Sequence, residues 1–182
     1  MNLFPPIRTT PLPGGYMGKI LRVDLTRGSL KNENLPEEPI LKKFIGGQAL
    51  AVYILLSELP LDATPFGPEN CVVMMTGPLT GNGFTPGGTK MTAVYLSPLT
   101  GSTLGRGATS GYWGTYLKAA GYDGIILNGA SPAPVYLYIK NGGAELRDAS
   151  PVWGLGTRDT EDRLRELAGF VCVTADVFQN LW

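Results

Sequence analysis

Hydrophobic and polar residues alternate with a period of two at several places along the chain, which is the pattern of a half-buried β-strand. The clearest stretch covers residues 18–25, and the turn residues at 26–28 predict that a second strand returns over residues 29–33 as a hairpin. Further strands are predicted at residues 71–76, 92–96, 124–127, 135–139 and 144–147, the last two joined by the turn Asn141-Gly142.

Four segments instead show helical patterns and helix-ending residues, at residues 40–45, 48–59, 111–120 and 158–167. The segment at 48–59 is apolar nearly all round, so we expect this helix to be buried on most sides against a sheet. The aromatic residues in the first turn of the segment at 111–120 are predicted to belong to the core.

A strand followed by the turn Pro-Leu-Thr-Gly occurs twice, ending at Gly81 and at Gly101. Two glycine-rich segments, residues 82–89 and 101–111, lie next to these turns and are predicted to be loops whose backbone N–H groups can approach an anion. If the strands at 71–76 and 92–96 pair, both loops should gather on one side of the sheet, as a binding site requires. An ordinary flexible connection is the alternative interpretation.

The chain has 182 residues, enough for one domain with a sizeable core, and a net charge of zero. It lacks a long basic or acidic run, so the sequence does not indicate binding to nucleic acid or to a membrane surface. No apolar run is long enough to span a bilayer, and the N-terminus lacks a signal-peptide pattern. We therefore expect the protein to be located in the cytoplasm. Charged residues make up only 16%, which indicates that another domain or subunit covers part of the surface.

Histidine is absent from the sequence, which excludes Ser-His-Asp and Cys-His catalysis and ordinary zinc chemistry. The two cysteines, Cys71 and Cys172, are too far apart for a metal-ligand motif and are predicted to be small buried apolar residues. Asp24, Asp123 and Asp148 lie beside strands or turns and are predicted to form turns and caps. No catalytic acid or base can therefore be named.

Eight motifs, taken in order, closely resemble the N-terminal domain of the aldehyde ferredoxin oxidoreductase family. They are Gly18-Lys-Ile-Leu-Arg-Val-Asp-Leu, Phe44-Ile-Gly-Gly, Pro68-Glu-Asn, Gly77-Pro-Leu-Thr-Gly, Ser97-Pro-Leu-Thr-Gly, Gly111-Tyr-Trp-Gly, Leu117-Lys-Ala-Ala-Gly-Tyr-Asp-Gly-Ile-Ile and Val135-Tyr-Leu-Tyr-Ile. The resemblance predicts a domain at residues 15–168, preceded by an extended proline-rich arm at 1–14 and followed by a divergent tail at 169–182.

The resemblance implies an α+β fold of two packed β-sheets with flanking helices, on which a tungsten- or molybdenum-bis-pterin cofactor sits. In the family, two pterin dithiolenes hold the metal, an adjacent [4Fe-4S] cluster passes electrons to ferredoxin, and aldehydes are oxidised to carboxylic acids. Pterin phosphates and a bridging magnesium ion require backbone N–H groups and polar side chains, which agrees with the glycine-rich segments. A homodimer is a further expectation.

Carried over by position, the resemblance implies a pterin-binding set at Gly87, Gly88, Thr89, Lys90, Arg106, Ala108, Ser110 and Gly111. Three positions differ from the family pattern. Thr89 follows the Gly-Gly pair where members carry an arginine, Ala108 stands in place of an asparagine, and Gln48 follows Ile-Gly-Gly where many members have arginine. Lys90 or Arg106 is expected to replace a lost charge. These differences indicate a divergent branch, nearer the benzoyl-coenzyme-A-reductase type of subunit.

The family's cluster cysteines, second pterin loop and helical domains have no counterpart in these 182 residues. We therefore predict a truncated, frame-shifted or split enzyme that does not turn over substrate alone. A non-catalytic remnant or interaction module with the same fold is the alternative. A nucleotide-binding or phosphate-ester-binding domain is less well supported, because neither a dinucleotide fingerprint nor a P-loop is present.

Overall fold

A computed structural model describes residues 13–168, so the predicted tail and all but the last two residues of the predicted arm lie outside the described part. The described chain forms eight strands and four helices. In order they are β1 (Lys19–Asp24), β2 (Ser29–Asn34), α1 (Glu38–Phe44), α2 (Gly47–Glu58), β3 (Cys71–Met75), β4 (Met91–Leu96), β5 (Leu104–Thr109), α3 (Trp113–Ala119), β6 (Gly124–Asn128), β7 (Val135–Lys140), β8 (Gly143–Asp148) and α4 (Thr157–Ala168).

Six of the strands form one sheet in the order β2-β1-β6-β3-β4-β5, and β7 and β8 form a separate two-stranded sheet. Neighbouring strands are antiparallel except for β1 and β6, which are parallel. The predicted α+β fold with two sheets and flanking helices is confirmed.

One face of the large sheet is covered by α1 and α2. Leu50, Ala51 and Leu55 of α2 are completely buried there, against Val73 of β3 and Val94 of β4. The prediction that α2 packs on a sheet is confirmed, although its apolar character also leaves Leu56 57% exposed. Burial of these aliphatic side chains is the main stabilisation of this layer.

The opposite face is covered by α3 and by the two-stranded sheet. Leu117 of α3 is buried against the large sheet, and Leu137 and Leu146 of β7 and β8 pack against the same cluster. The hydroxyl of Tyr122 donates a 2.8 Å hydrogen bond to the Gly142 carbonyl in the turn between β7 and β8. The two sheets are therefore packed together, and α4 adds a small third cluster around Leu164.

The prediction of a loop over residues 101–111 is wrong in its centre, because residues 104–109 form the edge strand β5. Its register against β4 runs from Leu96 opposite Leu104 to Met91 opposite Thr109. The ring of Tyr95 lies only 2.3 Å from the place where a Cβ on Gly105 would stand. Glycine usually weakens a strand, but here the Tyr95 ring on the adjacent strand leaves no room for a larger residue. The local composition of residues 101–111 does not reveal this contact.

The antiparallel pairing of β3 and β4 corrects a second expectation. The turn ending at Gly81 and the turn ending at Gly101 follow the ends of oppositely directed strands, so they lie at opposite ends of the sheet. The loop at 82–89 precedes β4, and residues 110–111 follow β5, whose end pairs with the beginning of β4. Of the second glycine-rich segment, only residues 110–111 therefore share an end of the sheet with the loop at 82–89.

The aromatic residues near the start of α3 differ in their environment. Trp113 packs against the core, as predicted, but Tyr112 is 71% exposed, so the core assignment is wrong for Tyr112. Tyr116, one turn further along, is 44% exposed. A seven-residue helix lying on a sheet buries only one stripe, and the tyrosines stand outside it.

Cys71 is buried in the first strand position of β3, and burial raises the pKa of its thiol to about 11. Its predicted role as a small apolar core residue is confirmed, whereas Cys172 lies outside the described residues. Within residues 13–168, no helix combines the length and the hydrophobicity needed to cross a bilayer.

Candidate functional site

An open groove of about 300 Å³ lies at one end of the large sheet, on the face that carries α2. Three chain segments form it: the junction between α1 and α2, the turn after β3, and the end of the glycine-rich loop before β4. The lining residues are Ile45, Gly46, Gly47, Gly77, Pro78, Leu79, Thr80, Gly87, Gly88, Lys90 and Thr92. Segments distant in sequence thus converge where the strands end.

The α1–α2 junction consists of the two residues Ile45 and Gly46 and contains a tight turn. Ile45 has φ 61° and ψ −71°, the geometry of a γ-turn, and the Gly46 N–H donates a 2.7 Å hydrogen bond to the Phe44 carbonyl. Positive φ is rare for a β-branched residue, so the surrounding structure must hold this turn in place. As a result, α2 begins at the groove.

Gly46 allows the junction to contact the turn after β3. A Cβ at Gly46 would lie 2.9 Å from both the Gly77 Cα and the Thr76 carbonyl oxygen. The Gly47 N–H donates a 2.8 Å hydrogen bond to that same carbonyl. Both neighbours are backbone atoms, so only glycine permits this approach.

Thr80 joins the turn after β3 to the start of β4. Its buried hydroxyl accepts a hydrogen bond from the Gly77 N–H at 3.1 Å and donates to the Lys90 carbonyl at 3.3 Å. The Gly81 N–H donates to the Gly88 carbonyl at 2.7 Å. The turn and the loop are therefore held together as one wall of the groove.

The predicted site residues separate into three groups. Gly87, Gly88 and Lys90 line the groove. Ala108 is the register partner of the lining residue Thr92, and Ser110 and Gly111 follow β5 at the same end of the sheet.

Two predicted residues lie elsewhere. Arg106 stands opposite Val94 in the middle of the β4–β5 pair, exposed at the sheet edge. Thr89 adjoins α3, since its carbonyl oxygen lies 2.9 Å from the position of a Cβ on Gly114. Neither residue lines the groove.

The sequence analysis missed the lining residues of the α1–α2 junction and of the turn after β3. Gly46 and Gly47 stand directly before the apolar segment that becomes α2, and a Gly-Gly pair at a helix N-terminus is a recognisable signal for a close approach of two backbone segments. Their proximity to Gly77 depends on the packing of α2 across the sheet, which the local sequence does not specify.

The electrostatic character of the groove is positive. Of the described residues that line it, only Lys90 carries a charge. The N-terminal end of α2 adds its partial positive charge, and the first turn of α2 contains no acidic residue to offset it. Within residues 13–168, no cluster of three or more His, Cys, Asp or Glu side chains could bind a metal ion directly. The groove is thus suited to an anionic group rather than to a bare cation.

Asp123 corrects the assignment of three aspartates to turns and caps. Asp24 and Asp148 do accept hydrogen bonds from the backbone N–H groups of Arg27 and Ser150 in turns, as predicted. Asp123 instead is only 2% exposed and forms an ion pair with the buried Lys118, with 2.8 Å between Nζ and Oδ1. The Asp123 carbonyl also accepts a 2.7 Å hydrogen bond from the hydroxyl of Thr76, which directly precedes the lining residue Gly77.

Residues 20–177 match the family described as "Aldehyde ferredoxin oxidoreductase, N-terminal domain". The chain belongs to this family. The resemblance seen in the motifs is thereby confirmed, and the match includes every segment that lines the groove.

Curated relatives in the aldehyde ferredoxin oxidoreductase family include a "Tungsten-containing aldehyde ferredoxin oxidoreductase" from Pyrococcus abyssi, 46% identical over 155 residues. That alignment covers 85% of this chain and 25% of the relative. The "Aliphatic sulfonate oxidoreductase, WOR-like subunit" from Pyrococcus furiosus is 46% identical over 144 residues, covering 78% of this chain and 22% of that protein. The chain therefore spans about a quarter of the length of the curated relatives it matches.

A solved structure of the same fold is the "Active site complex BamBC of Benzoyl Coenzyme A reductase in complex with 1,5 Dienoyl-CoA". It superposes with a TM-score of 0.80 and 34% sequence identity, and covers 86% of this chain and 24% of that chain. A protein whose title names benzoyl coenzyme A thus contains the fold of this domain.

Proposed function

We propose that this chain is the cofactor-cradling part of a tungsten- or molybdenum-pterin oxidoreductase, and that the groove holds part of the metallopterin. The observation that carries the proposal is the convergence of three glycine-containing segments and one lysine at a single end of the sheet, in a chain of this family. The names of several relatives include tungsten, which supports tungsten over molybdenum as the metal.

The residues of the groove fit an anionic, flat group. At Gly47 and Gly87 a Cβ would meet no heavy atom within 4 Å, so the backbone is open to a ligand at both positions. We expect these glycines and Gly88 to approach the pterin, with Lys90 and the N-terminus of α2 facing its phosphate. A groove of about 300 Å³ is at the lower end for a small-molecule site, which suits one part of a large cofactor.

The remaining predicted residues receive a secondary role. Ala108, Ser110 and Gly111 stand at the adjoining end of β5, where a cofactor extending beyond the groove would meet them. Arg106 lies further along the same strand and would reach only the outer edge of such a cofactor. Thr89 stands between the lining residues Gly88 and Lys90 with its carbonyl next to α3, so its proposed contact with the pterin would be made beyond the groove. The metal supplies the redox chemistry when it is bound, and this chain binds and orients the group that carries it.

Exposed apolar side chains around the groove support a second component of the enzyme. Ile45 and Leu79 are each 58% exposed and Phe84 is 93% exposed, although the first two line the groove itself. Exposed apolar side chains in and beside a groove are typical of a surface that another protein segment covers. We propose that this component carries the [4Fe-4S] cluster, the contact with ferredoxin and the aldehyde site, and that the chain alone is inactive. We also propose that the protein is located in the cytoplasm and that it assembles as a homodimer.

A second candidate is a subunit of a benzoyl-coenzyme-A-reductase-type enzyme. The structural similarity to that active-site complex favours it, because the agreement extends over 86% of this chain. Both candidates assign the same role to the groove and differ only in the substrate handled by the rest of the enzyme. Addition of an aldehyde or of a cyclic dienoyl-coenzyme A to the assembled protein, with a redox dye as partner, would distinguish them.

The proposal is tested by producing the 182-residue chain alone and together with the remaining part of the Pyrococcus abyssi relative. Tungsten, molybdenum and iron are then measured in each purified sample by mass spectrometry. We expect metal and pterin only when the second component is present. A folded chain that forms the complex but carries neither tungsten nor molybdenum would overturn the proposal and identify a non-catalytic remnant.

Gly87 and Gly83 offer a matched pair of variants. Both have φ near +75° (73° and 75°), both would place a Cβ in open space, and both belong to the loop before β4, but only Gly87 lines the groove. Valine at either position should cost a similar 1–2 kcal/mol of backbone strain. We expect Gly87→Val to reduce the metal content of the assembled protein at least tenfold, and Gly83→Val to leave it unchanged. Equal metal content in the two variants would contradict the assignment of the groove.

A further inference from the structure

Residues 15–18 contact two of the segments that line the groove, the α1–α2 junction and the turn after β3. We propose that this segment is a clasp that holds these two segments in place at the groove, and that Tyr16 is its positioning residue, anchored by the buried pair of Lys118 and Asp123. The inference rests on the proposed function only in taking the groove as the cofactor site.

Tyr16 contacts the α1–α2 junction. Its hydroxyl donates a 2.5 Å hydrogen bond to the carbonyl of Ile45, the residue with the unusual positive φ. A γ-turn at a β-branched residue is unfavourable by itself and persists only where neighbouring contacts maintain it. The Tyr16 hydroxyl supplies such a contact, although Tyr16 lies 29 residues before Ile45 in the sequence. The contact is made to a residue of the junction that leads into α2 at the groove.

Gly15 contacts the turn after β3. A Cβ at this position would lie 2.5 Å from the carbonyl oxygen of Pro78 and 2.9 Å from the Pro78 Cβ, so the clasp lies directly against the turn after β3. Gly15 also has φ +92°, which other residues rarely adopt. One short segment therefore contacts both Ile45 and Pro78, and both of these residues line the groove.

The buried ion pair fixes the clasp to the fold. Lys118 Nζ donates to the carbonyl oxygen of Gly15 and to Asp123 Oδ1, and Asp123 Oδ2 accepts a 2.6 Å hydrogen bond from the Gly18 N–H. The Tyr16 ring lies between these two anchor points, with its centroid 5.9 Å from Lys118 Nζ. The two ends of the clasp are thus held by the two partners of one ion pair.

The same aspartate also reaches the groove through the backbone. The Asp123 carbonyl accepts hydrogen bonds from Thr76, from its N–H at 2.9 Å and from its hydroxyl at 2.7 Å. The Thr76 carbonyl in turn accepts the Gly47 N–H that begins α2. Each charged group of the ion pair therefore has hydrogen-bonding partners, and the Asp123 carbonyl connects the pair through Thr76 to the start of α2.

The experiment measures amide hydrogen exchange by NMR on the 182-residue chain without cofactor, comparing Tyr16→Phe with the wild type. This variant removes only the hydroxyl that donates to Ile45 and retains the ring. We expect the amides of Gly46 and Gly47 to exchange at least tenfold faster, while core amides such as those of Val73 and Ile126 keep their rates within twofold. Tyr112→Phe, which alters an exposed tyrosine at the start of α3, is the control and should leave all of these rates unchanged.

Two outcomes would overturn the clasp. Gly46 and Gly47 could exchange at the wild-type rate in Tyr16→Phe, or the acceleration could extend equally to the core amides, which would indicate general destabilisation. Metal content is measured separately on the assembled protein. Absence of metal in the wild-type complex with the expected exchange pattern would overturn the proposed function and leave the clasp standing, whereas the reverse pattern would overturn the clasp alone.

Discussion

Replacement of Lys118 by methionine is expected to lower the free energy of unfolding by about 3–5 kcal/mol, because it leaves the Asp123 carboxylate buried without its counter-charge. The two side chains are only 7% and 2% exposed, so water cannot take the place of the ammonium group. The measurement is urea denaturation of the 182-residue chain, followed by circular dichroism.

Lys42→Met is the matched control for this experiment. Lys42 pairs with Glu38 at 2.9 Å, but its side chain is 71% exposed and the pair joins neighbouring turns of α1. Exposed pairs of this kind contribute about 0.3–0.5 kcal/mol. If the two methionine variants unfolded at the same urea concentration, the pair of Lys118 and Asp123 would contribute no more than a surface contact, and its role as an anchor would be wrong.

Gly124→Ala is expected to destabilise the fold by about 3 kcal/mol through overpacking between β6 and β3. The added Cβ would lie 2.1 Å from the Met75 sulfur and 2.6 Å from the Met74 carbonyl oxygen. The sulfur could move by a change of rotamer, but the carbonyl belongs to a strand in the middle of the sheet, so the backbone itself would have to shift. Thermal and urea unfolding would show the loss.

Gly107→Ala provides the comparison for Gly124. Gly107 lies in the edge strand β5, and a Cβ there would have no heavy atom within 4 Å. We expect its stability to stay within about 0.5 kcal/mol of the wild type, as is usual for unconstrained surface positions. A small loss for Gly124→Ala, equal to that of Gly107→Ala, would show that the centre of the sheet can accommodate a methyl group.

The two large effects concern neighbouring positions at the start of β6. Asp123 and Gly124 are consecutive residues at the start of β6, and they join the clasp on one side to β3 on the other. Destabilisation at this point should therefore also disturb the groove. For this reason Tyr16→Phe, which leaves the junction intact, is the variant that isolates the groove from the stability of the fold.

The sequence by itself determined the family and most of the elements. Alternation over residues 18–25 and the Asn141-Gly142 turn predicted strands that the structure contains, because period-two patterns and hairpin turns depend on neighbouring residues alone. Gly87, Gly88 and Lys90 were also identified from motif position, and all three line the groove.

Only the tertiary structure decided which residues meet. Residues 104–109 read as a loop because glycine is a poor strand residue, yet the Tyr95 ring and the hydrogen bonds of β4 make them a strand. Asp123 read as a turn residue because its partners, Lys118 and Gly18, approach it only after α3 and residues 15–18 have packed. The groove itself depends on the contact of Gly46 with Gly77, and contacts between distant segments are set by how the layers pack rather than by any local pattern.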